Sequence, residues 1–170
     1  MSDIMNLRKV RGFTLIELVI VIIIIGILAA VALPRLIETQ RDARIAKASA
    51  LYGSMRSAMA LARSRCELDL SSNAASTTTL NCTSTPPKVN MDGTLIDIVN
   101  RHPAATATGI DAAAALSLSA DGLTAGGSGS SRFFDIVGCA SPNCRITYQE
   151  ATLSGTAIVA PVLSLVTSGC

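Results

Sequence analysis

Residues 13–33, FTLIELVIVIIIIGILAAVAL, form an apolar run of 21 residues that holds a single charge, Glu17. At about 1.5 Å of rise per residue, such a run spans roughly 30 Å as a helix, the thickness of a bilayer's hydrocarbon core. It is longer than the apolar region of a secretory signal, so it predicts a transmembrane helix. The richness in Ile and Val is no obstacle, because in lipid only hydrogen bonds within the segment satisfy its backbone. Arg8, Lys9 and Arg11 lie just before the run, and bases in that position stay on the cytoplasmic side.

Glu17 is the anomaly. A carboxylate inside such a span costs about 3 kcal/mol on insertion scales and marks a functional or partner-binding position. Either it lies near the interface and extends toward water, or it meets a cation. A cut between Gly12 and Phe13 creates that cation, a new amine on Phe13 about one helical turn from Glu17. In a packed bundle, Glu17 of one subunit then pairs with the Phe13 amine of its neighbour and fixes axial register in an apolar interior.

The rest of the chain is modest and neutral. Of 14 bases and 12 acids, three bases and one acid lie in residues 1–12, so removing them leaves no net charge. A neutral chain has no general nucleic-acid footprint. Tryptophan is absent and aromatics make up 3%. No P-loop, GxSxG or HExxH motif is present, and the Gly126–Gly129 stretch lacks the lysine that binds phosphate. No catalytic, cofactor-binding or metal-binding residues are expected. His102, beside Pro103, reads as a surface or structural histidine. Glu67 and Asp69, the closest pair of acids, read as solvated.

The five cysteines, at 66, 82, 139, 144 and 170, all follow the apolar run. None makes a CxxC pair, and one histidine does not complete a zinc site, so disulfides in an oxidising compartment are expected. The polar stretch SSNAASTTTLNCTSTPP, residues 71–87, reads as a surface loop, and Cys66 at the helix end is expected to pair with Cys82 within that loop.

Beyond Pro34, residues Ala48, Leu51, Tyr52, Met55, Met59, Ala62 and Cys66 recur at spacings of three and four, an amphipathic stripe. They predict one long helix from about Phe13 to about Ser64, bent or loosened at Pro34, which lacks an amide hydrogen. The alternative is that Pro34 ends the helix. Residues 93–103 carry a short apolar core, a strand or a helical turn, and GIDAAAALSL reads as a short helix. ADGLTAGGSGSS, residues 120–131, reads as a flexible connector. Residues 132–139 and 144–150 form a hairpin around Ala140–Asn143, and 156–166, with Pro161 inside, an edge strand. The class is α+β, with a long helix packed on a small antiparallel sheet.

RGFTLIELVIVIIIIGILAAVALP resembles the processing and assembly segment of type IV pilins and of the related type II secretion pseudopilins. The segments PRLIETQRDARIAKASALYGSM, IVNRHPAA, CRITYQEAT and TSGC are similar to the pilin of mannose-sensitive haemagglutinin (MSHA) pili. The resemblance implies a pilin fold and a leader, residues 1–12, removed after Gly12 by a prepilin peptidase. It implies N-methylation of Phe13, an assembly role for Glu17 and a kink at Pro34. Residues 13–34 then form the transmembrane and assembly helix, 35–70 its second half, and 71–170 the globular part. The implied partners are copies of the chain itself, the peptidase, the lipid membrane, an inner-membrane platform with its ATPase, and a host or surface ligand. The implied route runs from the inner membrane to an extracellular filament for adhesion or surface attachment. The resemblance also favours joining Cys144 to Cys170 as a C-terminal loop. Pairing Cys139 with Cys144 across the hairpin, leaving Cys170 over, stays open. Two rival readings are a type II secretion pseudopilin and a periplasmic enzyme or binding domain that uses the apolar helix as a tether.

Overall fold

The computed structural model describes residues 12–71, 82–139 and 141–170. Most of the expected leader, Asn81 and the middle of the Ser/Thr-rich loop lie outside them. One helix, α1, covers Leu15–Ser71 and includes Pro34. The helix therefore does not end at the proline, and it continues beyond Ser64. The strands are β1 (Lys88–Met91), β2 (Thr94–Val99), β3 (His102–Pro103), β4 (Leu123–Ser128), β5 (Ser131–Ile136), β6 (Arg145–Gln149), β7 (Thr152–Ser154), β8 (Ala157–Val159) and β9 (Val162–Val166). The class is α+β with antiparallel sheets, as the sequence predicts. The chain divides into two units, residues 1–40 and 41–170.

In the second unit the strands form a three-stranded sheet β1-β2-β3, a four-stranded sheet β4-β5-β6-β9 and the two-stranded ribbon β7-β8. The stripe on the second half of α1 serves as a spine for three apolar clusters. Ala48 packs with Leu123, Ile136, Cys144 and Cys170. Met55 packs with Ile110, Phe134, Ile146 and Tyr148. Ala62 and Cys66 pack with Val89, Ile96 and Ile98. The small residues among these helix positions let the sheet backbones come close, and Met55 fills the wider gap in the middle. Buried Tyr148 donates its hydroxyl hydrogen bond to the Pro103 carbonyl at 2.5 Å, joining the two larger sheets.

Residues 120–131 are not a flexible connector. They contain β4, which pairs with β5 from Leu123↔Ile136 to Ser128↔Ser131. The glycines are there because side chains do not fit. A Cβ on Gly127, at φ +128°, would stand 2.3 Å from the Ser131 carbonyl oxygen, and one on Gly126 would meet the Phe133 ring. GIDAAAALSL likewise gives a π-helical turn, Ala107–Asp111, that ends soon after rather than a regular helix. Buried Asp111 fixes it by accepting two hydrogen bonds from Arg132 of β5, at 2.6 and 2.5 Å. The 156–166 segment is two strands divided at Ala160–Pro161. β8 pairs with β7, and β9 forms the edge beside β6.

Across β5 and β6, Asp135 faces Arg145 and accepts a forked pair of hydrogen bonds at 2.6 and 2.7 Å. The same guanidinium lies 3.8 Å from the centre of the Phe133 ring. Hydrogen bonding from Arg145, with help from Ser141, holds the Asp135 carboxyl below the usual carboxylate range. The unfolded carboxyl titrates near pH 4. A group depressed in the folded state contributes its full stability above that pH and loses it as pH falls through the folded value. Asp135→Asn should therefore cost roughly 1–3 kcal/mol at neutral pH. The deficit should begin to shrink below about pH 4, where the unfolded carboxyl takes up its proton, and vanish as pH falls through the lower folded value. Thermal unfolding of the detergent-solubilised chain, followed by circular dichroism across that pH range, measures both.

Candidate functional site

In the first unit, α1 begins with a reciprocal lock. Thr14 is the residue before the helix, and its Oγ1 accepts a hydrogen bond from the Glu17 amide at 3.3 Å. Glu17 Oε2 accepts in return from the Thr14 amide at 3.1 Å and from the Thr14 hydroxyl at 3.0 Å. This is a capping box: each of two orphaned amides at a helix start donates to the other residue's side chain. The carboxylate also sits where the helix dipole favours negative charge. Oε1 takes no hydrogen bond among the described residues. The lock was legible in the sequence as Thr14-x-x-Glu17, a signature that the membrane reading of Glu17 passed over. It involves no atom before the Thr14 amide, so a cut between Gly12 and Phe13 leaves it intact.

Phe13 is 89% exposed, and every large apolar side chain from Leu15 to Ile37 is exposed as well. An 18-residue window of this helix has a mean hydropathy of 3.2 with none of it buried. Among the described residues nothing lies near the space a side chain on Gly12 would occupy, so they make no demand for glycine there.

In the second unit, Cys66 is joined to Cys82 and Cys144 to Cys170. Cys139 is a free thiol, and its sulfur and those of Cys144 and Cys170 all lie within 4.8 Å of one another. Arg44 and the Cys139 thiol both donate to the main-chain oxygen of Cys170, at 3.4 and 3.9 Å. The two acids read as solvated are paired, Glu67 with Arg101 and Asp69 with Arg65. His102 is buried in β3 rather than on the surface, and its Nδ1 has no hydrogen-bond partner.

Residues 7–33 match the family described as the prokaryotic N-terminal methylation motif. Residues 7–33 thus carry a methylation motif, and the chain's first third is similar to type IV pilins. It is 50% identical over 54 residues to the type IV narrow pilus major component PilA5 of Thermus thermophilus, covering 32% of this chain and 47% of that protein. It is 51% identical over 51 residues to the type IV major pilin protein PilA of Myxococcus xanthus, covering 28% of this chain and 23% of that protein. The chain thus spans about half the length of the first relative and a quarter of the second. No solved structure matches it significantly. The methylation motif is followed by an uncovered apolar helix long and apolar enough to cross a membrane.

The cysteine geometry gives a direct check. Alkylation of the unreduced, denatured chain followed by peptide mass spectrometry should label Cys139 and leave the other four cysteines in disulfides. Label on Cys170 with Cys139 bound to Cys144 would mean that the opposite pairing prevails.

Proposed function

We propose that this chain is the structural subunit of a type IV pilus of the MSHA kind, serving adhesion or surface attachment. The observation that carries the reading is the first unit: an apolar helix its own chain leaves uncovered, starting at a carboxylate with one oxygen bonded and one open. In the membrane, lipid covers the helix. In a filament, neighbouring helices cover it.

Prepilin peptidase removes residues 1–12, and the new Phe13 amine is methylated. Since nothing among the described residues asks for glycine at 12, the demand comes from the peptidase. The capping box holds Glu17 pointed back toward the helix start, so Oε1 is presented to a cation in that plane. The Phe13 amine of an adjacent copy supplies the cation, and the pairing sets the axial register. Pro34, where the helix lacks one backbone hydrogen bond, lets it bend or loosen as subunits pack. Extraction is driven by an inner-membrane platform and its ATPase. The pseudopilin reading would call on Asp135 and Glu150 as calcium ligands, but Asp135 is held by Arg145 and Glu150 accepts the Ala105 amide at 2.7 Å.

Mass spectrometry of sheared surface filaments should find a mature peptide that begins at methylated Phe13. Assembled material with Met1 intact would end the processing claim. Substitutions at Glu17 separate charge from capping. Glu17→Val removes both, whereas Glu17→Gln keeps an acceptor for the Thr14 amide and removes the charge. Both variants should insert and be cleaved, yet yield few or no filaments by electron microscopy. Normal piliation with Glu17→Gln would show that capping suffices and that no ion pair is needed.

A further inference from the structure

We infer that the groove at His102 is a binding site for a small organic oxyanion, a carboxylate or phosphate carried on a sugar-sized body. Two adjoining cavities meet at this residue. A small one, about 80 Å³, is lined by Arg63, Glu67, Arg101 and His102. A larger one, about 350 Å³, is lined by Arg56, Arg63 and His102 over a floor that includes Met59, Ala160 and Pro161. The second volume lies within the range that holds small organic ligands, roughly 300–1,000 Å³.

The charge in the two cavities is unequal. In the small one Glu67 is bonded to Arg101 at 3.1 Å, so that pair neutralises itself. Arg56 and Arg63 make no ion pair among the described residues, and no carboxylate lines the larger cavity. They stand seven residues apart, two turns along one face of α1, so both guanidinium groups face the same groove. Unpaired guanidinium forks bind planar oxyanions through two parallel hydrogen bonds.

The third group is His102. The residue is only 6% exposed and lines both cavities. Its Nδ1 is sealed from solvent and has no partner among the described residues, so the ring nitrogen left to meet an incoming polar group is Nε2. Burial, reinforced by Arg63, pushes the imidazole below its usual range, so near neutral pH it is the uncharged ring that offers one acceptor or donor. The site thus combines two cationic forks for the acid group, one neutral ring nitrogen for a hydroxyl, and an apolar floor for a C–H face.

His102 is the only histidine in the chain, which makes the test specific. The full chain, labelled with ¹⁵N-histidine and solubilised in detergent, gives one imidazole signal to follow during titration. The probes are D-glucuronate, D-glucose 6-phosphate, D-glucose and sodium chloride at matched ionic strength. Saturable movement of the His102 signals with either acid, and not with glucose or chloride, is the expected result. Which acid acts identifies the head group. Arg63→Gln, at an exposed position, should weaken binding at least about tenfold, because one of two oxyanion forks is lost. Arg56→Gln repeats the comparison if that variant does not fold. No shift, an equal shift with glucose or chloride, or binding indifferent to both substitutions would overturn the site and leave His102 bonded to water. None of these outcomes depends on whether the chain forms filaments.

Discussion

An apolar helix that the chain never covers is the constraint on which everything else depends. From Leu15 to Ile37 the large side chains stay exposed, and among the described residues of the first unit no sheet or loop is available to pack on them. Apolar surface of this extent is stable only in lipid or against other apolar surface. The second unit has no such debt. Its part of α1 turns a narrow stripe, Ala48 to Cys66, onto the sheets, and the exposed side carries most of the charged residues beside a few leucines such as Leu61 and Leu68. One continuous helix therefore carries two kinds of surface, one satisfied within the chain and one that calls for an environment outside it.

The second unit gains its definition from polar pairs laid over the apolar clusters. Lys88 bonds to its cross-strand partner Asp97, and Asp135 to Arg145, each in register within its sheet. Such pairs contribute modestly to stability, but they penalise a slipped register, since a shift by one residue would bring unlike partners together. Arg132 does the same for the π-helical turn by gripping Asp111. Two disulfides tie the far end of α1 to Cys82 and the chain end to the start of β6.

How much of this could be read from the residues differs from element to element. The long helix, its buried stripe and the β5–β6 hairpin follow from periodicity, because each has one greasy face repeating at 3.6 or 2 residues. Ala58 was missed because alanine carries too little hydrophobic signal to stand out among other alanines. β4 was missed because Gly126 and Gly127 look like a linker, whereas here they let β4 lie against Phe133 and the backbone of Ser131. The β1–β2 hairpin had a local sign, Asp92-Gly93, both at positive φ in a two-residue turn. The cysteine pairing was legible in part: Cys66–Cys82 follows from the helix end and the polar loop, whereas Cys144–Cys170 was favoured only by the resemblance. Three sulfurs within 4.8 Å of one another satisfy either connectivity in space, so spacing along the chain does not discriminate. Of the two readings of His102, surface or structural, the structural one holds, and the sequence did not choose because its burial is created by elements distant in sequence, the end of α1 and the segment around Ala160.

Glu17 draws these strands together, because a single carboxylate meets demands that seem opposed. On the function proposed above, it must be tolerable near lipid before assembly and available to a partner in a filament. The capping box meets the first demand by giving Oε2 two donors from Thr14, which lessens the cost of withdrawing the group from water. It meets the second by fixing the side chain's direction while leaving Oε1 open. A free glutamate would lose rotamer entropy on pairing, and one held by its own helix start has already lost part of it. A buried ion pair forms at a net gain only when its geometry is set and its remaining lone pairs are satisfied. Thr14 provides both conditions within the same chain, which is why the acid can sit at the head of an apolar helix rather than elsewhere along it.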